Sequence, residues 1–592
     1  MRTYIQLAEV RLKTNVAALL PILGLSTACI ILSSCHESSP SSSGTPEKPQ
    51  DEGSGGSMVS HPLDLVYVCG NKFLATNSSS STLDVTYRVV GTQESGSLTL
   101  DKGQGGDPGH SEAELETSAR GVVELYHKDE LVARRQNEGL PCGSSAISSI
   151  VAGVTTAEAG HWSEPFYWPA VAVHLTLLPN GRVLSWGATR TQPQVWNPVT
   201  GSFTEVPEPV ELFCAGQTLL PDGRVLVAGG HISDDHGLRD ITIFNPSNQT
   251  WSRSTPMRRG RWYPTTTTLA SGAVVITAGR DESGNAVTLP EVWESGTVRV
   301  LTSASRALAY YPRAFQAPNG RLFYAGEERR SRYLNTSGTG SWSSVGDRLY
   351  GTRDYGAAVM YDDGKILYVG GGRTTNTAEI IDLNAGTPQW RWSNPMAFRR
   401  RHHNATVLPT GEVLVTGGTS GTSFDDQTQR VRAAEIWNPV TENWTTLASN
   451  SVTRTYHGTS ILLPDGRVLH AGSGSSRTPH EFNAELFSPP YLFKGARPTI
   501  SSAPTSVGYG ASFTVGTAQA SSITRVSFIR LGSTTHAFDM NQRFQRLPFT
   551  RQSGALRITA PSNRNRTPPG HYMLFILNTA GVPSVAKIIR IN

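Results

Sequence analysis

Between residues 155 and 490 the chain alternates in blocks. Four or five apolar residues are followed by a short polar turn with a glycine, and then by four or five apolar residues again. Seven such blocks occur: LLPNGRVLSWGA, LLPDGRVLVAGG, LASGAVVITAGR, QAPNGRLFYAGE, MYDDGKILYVGG, VLPTGEVLVTGG and LLPDGRVLHAGS. Short unbroken apolar runs bounded by turn signals predict strands covered on both faces, and the glycine predicts a tight hairpin. The turn glycines are Gly181, Gly223, Gly272, Gly320, Gly364, Gly411 and Gly466, at spacings of 42, 49, 48, 44, 47 and 55 residues. A fixed period of that size is the signature of a repeat architecture. Several blocks continue into more polar strands, as in IFNPSNQTWSRS and IWNPVTENWTTL, so the unit has four strands.

The period, the Gly-Gly ends and the later Trp resemble kelch blades, which implies a seven-bladed β-propeller over residues 155–490. The last unit has ELFSPP for a third strand and no evident fourth. The segment Gly160-His161-Trp162-Ser163 is expected to supply it and close the ring. Residues 60–152 read as a small N-terminal β-sandwich. After the exit SPPYLFKGARP, residues 495–592 read as a C-terminal Ig-like β-sandwich. The fold class is all-β.

Composition agrees, with 58 Gly, 36 Pro and 17% charged residues, as short strands and many turns require. Arg2, Arg11 and Lys13 precede an apolar run from Val16 to Leu32, and then comes Leu32-Ser33-Ser34-Cys35. This resembles the lipobox of bacterial lipoproteins. It implies a signal peptide over residues 1–34, lipid on Cys35, and a place at the bacterial cell envelope or surface. Residues 35–59 are a Ser/Gly/Pro-rich tether. Loss of residues 1–34 would lower the formal charge from +5 to +3 (three bases and one acid leave), too little to imply nucleic acid. Cys69 and Cys142 bracket the first sandwich and are expected to pair in an oxidising compartment. Cys214 is then unpaired, either inert or chemically used.

The residues nine before each turn glycine are Ala172, Cys214, Tyr263, Tyr311, Tyr355, His402 and His457. In a propeller, equivalent positions on the innermost strands ring the central channel, so this ring carries oxygen, nitrogen and sulfur donors. Tyr311, Tyr355 and His402 read as packing at the channel mouth; the alternative is that they, with Trp262, flank the donors and support them. Tyr456 and His457 are adjacent, and neighbours on a regular strand point to opposite faces. Both reach one metal only if the backbone is irregular there.

Four segments resemble the copper radical oxidases, the galactose oxidase and glyoxal oxidase family: FCAGQTLLPDGRVLVAGG, RWYPTTTTLASG, RTYHGTSILLPDGRVLHAG and THAFDMNQRFQRLPF. The resemblance spans the propeller and the last domain. It implies one copper ion held by Tyr263, Tyr456, His457 and His536, with Tyr456 axial and His536 arriving from the C-terminal domain. It also implies a Cys214–Tyr263 thioether whose radical stores one oxidising equivalent. Tyr456 would act as base, the radical would take hydrogen from the substrate carbon, and O2 would become H2O2. Imidazole and phenolate suit Cu(II). The family's tryptophan after the cross-linked tyrosine's hairpin is missing from AGRDESGNAV; Trp262 precedes Tyr263 instead. This points to small aldehydes or simple primary alcohols over galactose, and leaves open which residue stacks on the thioether. Arg261, Arg353 and Arg454, each two before a Tyr, read as structural ion pairs. A monomer is expected. The repeats alone would also fit a non-catalytic kelch-propeller surface protein binding glycan or protein, since fold does not fix function; the filled donor positions favour the oxidase.

Overall fold

The computed structural model describes residues 63–136, apart from 70, 78–80, 101–110 and 119–120, and residues 155–592, apart from 188–190 and 476–477. The expected signal peptide, the tether with Cys35, and Cys142 lie outside the described residues, as does the side chain of Cys69. No described helix is long and apolar enough to cross a membrane.

Seven antiparallel sheets, five of them four-stranded, follow one another along residues 174–488. The innermost hairpin of each comes from one of the seven apolar blocks. Its strands are covered on both faces, which is why they read as unbroken runs: Val225–Ala228 and Val413–Thr416 are wholly buried. Outer strands such as Thr250–Arg253 face solvent and are polar. Pro221-Asp222-Gly223 shows how the turn works. Leu220 N–H donates to Arg224 O (2.8 Å), and Gly223 sits at φ +91°, a left-handed conformation that glycine adopts without steric cost.

The last blade takes its outer strand from the other end of the ring. His161–Trp162 pairs with Asn483–Ser488, Trp162 opposite Phe487. Trp162 packs on Phe487 (ring centroids 4.8 Å apart), and its indole N–H donates to Ala448 O (2.8 Å). The expected closure is therefore present.

The C-terminal part, from Ser506 on, is a sandwich of a five-stranded and a three-stranded sheet, with Val515, Phe528, Ile558 and Leu574 between them. It also sends one hairpin, Ser533–Thr535 and Phe538–Asp539, into the propeller. Ser533–Thr535 pairs with His174–Leu177, the innermost strand of the first blade, so that sheet has six strands. The hairpin turn is His536-Ala537, with φ +45° and +63°, the left-handed pair of a type I′ turn. The buried Asp539 carboxylate braces it, accepting from the backbone N–H of Ser533, Asn541 and Gln542 (2.9 Å each). The N-terminal part has two sheets, of three and four strands, around Leu65, Phe73, Val85 and Leu125.

Trp162→Ala removes the ring's closing side chain. We expect a loss of about 3–5 kcal/mol, typical of a buried Trp→Ala change, read as a lower thermal midpoint. An unchanged midpoint would show that the strand closes nothing.

Candidate functional site

The six donor residues nine before their turns share one backbone feature that residue type alone did not announce. Cys214, Tyr263, Tyr311, Tyr355, His402 and His457 all have left-handed φ, between +45° and +66°. Ala172, the seventh, has no donor and is not among the left-handed residues. The left-handed turn breaks strand alternation at the lip of the channel. Tyr456 and His457 therefore lie on one side, rings stacked at 3.8 Å. The same turn lets neighbouring blades bond: Tyr263 N–H donates to Cys214 O (2.9 Å), Tyr311 N–H to Tyr263 O (3.0 Å) and His402 N–H to Tyr355 O (3.0 Å).

The side chains converge. The Tyr263 and Tyr456 hydroxyls are hydrogen bonded to each other. His536 Nε2, at the hairpin tip, is 3.0 Å from Tyr263 Oη. His457 Nδ1–H donates to Gly474 O (2.6 Å), which leaves Nε2 as a bare lone pair, and that atom is buried without a protein partner. Cys214 is buried and free, within hydrogen-bonding reach of Tyr263. All five residues named for copper and cross-link thus meet in one place. Among the described residues no three His, Cys, Asp or Glu side chains could hold a metal, so the donor set is complete only with the phenols.

Burial drives every donor toward its neutral form. It pushes Tyr263 and the Cys214 thiol well above their ordinary values, lowers His457 to about 4 and holds His536 well below its ordinary value. Two neutral imidazoles, one with a buried and unpartnered Nε2, and two phenols fit a copper ion, whose charge would reverse that cost for the phenolates. His457 and His536 need lose no proton to bind it.

Around these residues Trp262 stacks flat on Tyr263 (3.8 Å, 9°), and its indole N–H donates to His231 Nδ1 (3.1 Å). The stacking residue left open by the sequence is therefore Trp262. Tyr311 stacks on His536 (4.7 Å), while Tyr355 and His402 pack edge-on and tilted against Tyr456. Sequence reasoning missed His174 and Gln217. His174 Nδ1–H donates to Gln217 Oε1 (2.6 Å), and its Nε2 accepts the Cys214 N–H (3.2 Å). Gln217 Nε2–H donates to Thr534 O (3.2 Å), tying the hairpin to Cys214's strand. Neither residue occupies the repeat position that marked the others. Arg261, Arg353 and Arg454 pair with Glu291, Glu379 and Glu485 inside their blades, as expected of structural ion pairs. Arg400 does the same with Glu435 (2.5 Å), a fourth pair that no following Tyr had flagged.

Two family models match: "Galactose oxidase-like, Early set domain" over residues 497–591 and "Glyoxal oxidase N-terminus" over residues 373–491. A galactose oxidase of Gibberella zeae is 32% identical over 521 residues, 78% of this chain and 75% of that protein. The chain belongs to the copper radical oxidase family of galactose oxidase and glyoxal oxidase. An aldehyde oxidase GLOX of Vitis pseudoreticulata is 29% identical to this oxidase over 441 residues, covering 64% of this chain and 82% of its own. A solved fungal alcohol oxidase of the AA5 family, in complex with copper, superposes with a TM-score of 0.68 at 26% identity, over 74% of this chain and 100% of that one.

His536→Ala removes the one donor that comes from outside the propeller. Copper affinity should fall by at least the ~10–100-fold typical of losing even an outer-shell partner, measured as copper per chain after dialysis. Full retention would remove His536 from the donor set.

Proposed function

We propose that this copper radical oxidase oxidises small aldehydes, as their hydrates, or simple primary alcohols, with O2 as electron acceptor and H2O2 as product. The observation that carries the reading is the meeting of the Tyr263 and Tyr456 hydroxyls with His536 Nε2, next to a His457 ring whose Nε2 is buried without a protein partner, and with a free thiol beside Tyr263. The relatives named for galactose, aldehyde and alcohol oxidation support the chemistry. Trp262 in place of a later tryptophan supports the smaller substrates.

Tyr263, Tyr456, His457 and His536 would hold the metal. Copper, when bound, would supply a one-electron couple and lower the pKa of a substrate hydroxyl. The chain does the rest. Tyr456, whose hydroxyl is hydrogen bonded to that of Tyr263, accepts the substrate hydroxyl proton at its phenol oxygen. Tyr263, joined through its ring to Cys214, stores the second oxidising equivalent that a two-electron oxidation needs. The flat Trp262 indole covers that ring and keeps water from it. His457, fixed by Gly474 O, and His536, held on its I′ turn, keep neutral nitrogens facing inward.

Residues 1–34 and Cys35 complete the proposal as an export signal and lipid anchor at the bacterial envelope. Cys35→Ser should move the protein from the membrane fraction to the soluble fraction; unchanged fractionation would remove the anchor.

A screen of copper-loaded protein, reading peroxide, should rank small aldehydes and simple primary alcohols above galactose; the reverse order would contradict the substrate reading. Cys214→Ser should keep fold and copper and lose turnover by at least ~100-fold, ~2.7 kcal/mol of transition-state stabilisation. Undiminished turnover would remove the thioether from the mechanism.

A further inference from the structure

The chain's charge is divided unevenly. Residues 497–592 hold eleven Arg and Lys and a single acid, Asp539. The remainder holds 41 bases (52 − 11) against 46 acids (47 − 1), so a domain of net +10 is joined to a body of net −5. Asp539 is buried in the channel hairpin, which leaves no acidic side chain on the surface of the C-terminal domain. Among the described residues only Arg566 of this domain makes an ion pair, with Asp363 of the fifth blade (2.5 Å). A net charge on a domain is by itself a statement about partners, not about fold.

Two of the bases line a cleft. Between the sixth blade and the C-terminal domain lies a hollow of about 260 Å³, lined by Arg525, Arg546, Asn438, Asn578 and Glu412 among others. Arg525 is held in place by donating to Thr410 O. Arg546 stands beside it on the neighbouring strand, and burial followed by Arg546's charge pushes the Arg525 guanidinium down from its ordinary value. Outside the cleft's lining, Arg551 donates from Nε and Nη2 to Ile523 O (3.0 and 2.6 Å), two residues before Arg525. Glu412 is the cleft's one acid, and it accepts from Thr410 Oγ1 (2.8 Å). Two cations, Arg525 and Arg546, and one carboxylate line the cleft.

We propose that this cleft, with the basic surface around it, binds an acidic polysaccharide, one whose sugars carry carboxylates. Guanidinium forks match carboxylates in plane and bidentately. The Asn438 side-chain NH2 and the Thr579 hydroxyl line the same hollow and match sugar hydroxyls. The hollow is below the ~300–1,000 Å³ of drug-sized sites, which suits one sugar unit of a longer chain. No aromatic ring lines it, so it lacks the stacking platform of a single-strand nucleic-acid site. It is a concave site, with no amphipathic helix to lie on a lipid surface. The surface is separate from the copper site and does not depend on the oxidase reading.

The test uses the whole protein and polygalacturonate at low salt, about 50 mM, where charge-driven binding is strongest. Wild type should bind polygalacturonate and not its neutral methyl ester. Arg525→Gln/Arg546→Gln/Arg551→Gln should weaken binding by about tenfold or more, beyond one rim contact, with the thermal midpoint and copper content unchanged. Should the triple variant melt early, Arg546→Gln alone, at an exposed side chain, makes the same comparison with a smaller loss. Equal binding by variant and wild type, equal binding to the methyl ester, or no binding would overturn the proposal. Tighter binding to duplex DNA or to phosphatidylglycerol vesicles would overturn its class of ligand.

Discussion

Six non-glycine residues held in left-handed conformation at the channel lip are the constraint on which the site depends. Each costs roughly 1–2 kcal/mol relative to right-handed backbone, and a strand would avoid it if only its own energy counted. Here the turn lets one blade's N–H reach the carbonyl of the blade before, as from Tyr263 to Cys214 and from Tyr311 to Tyr263. Ring closure and left-handed lip therefore support each other. Trp162 holds the ring shut, the ring sets the distance between neighbouring lips, and that distance brings Cys214 to Tyr263. His536 obeys the same logic on a different scaffold, since its I′ turn also places a non-glycine residue at positive φ. Strain of this kind gathers where surrounding structure over-determines it.

The second dependence is electrostatic. Buried donors are costly to ionise, and burial here drives phenols and thiol up and imidazoles down. The hydrogen bonds that orient them cannot repay that cost. Gly474 O fixes which nitrogen of His457 carries the proton, Gln217 does so for His174, and neither adds charge. A divalent cation is the missing term: it makes phenolates affordable and leaves the imidazoles neutral. The buried Arg–Glu pairs inside the blades are a separate matter. Arg261, Arg353, Arg400 and Arg454 carry charge in the walls, each matched by its own glutamate, so they stiffen blades without adding field to the channel.

Much of this was legible in the chain. Apolar blocks and turn glycines carried the seven blades, because buried inner strands must be apolar and the turns need positive φ. Counting nine back from each glycine found the donor ring, because no insertion separates lip from turn. The left-handed lip was only implied, by the adjacency of Tyr456 and His457; residue type does not reveal φ when the residue is not glycine. Trp262's stacking was not readable, since its ring could equally have pointed away on a regular strand. His174 and Gln217 escaped because they act through backbone and hairpin, at positions where other blades carry unrelated residues. Arg400 escaped because it precedes His402 and not a tyrosine.

The central claim is that the ring geometry brings the Cys214 sulfur to the Tyr263 phenol so that copper and O2 can join them. Peptide mass mapping of aerobically copper-treated protein after full reduction tests this directly. The expected product is a branched peptide containing Cys214 and Tyr263, two hydrogens lighter than the sum of its parts and stable to reductant. Recovery of Cys214 as a free, alkylatable thiol in fully active protein would contradict it.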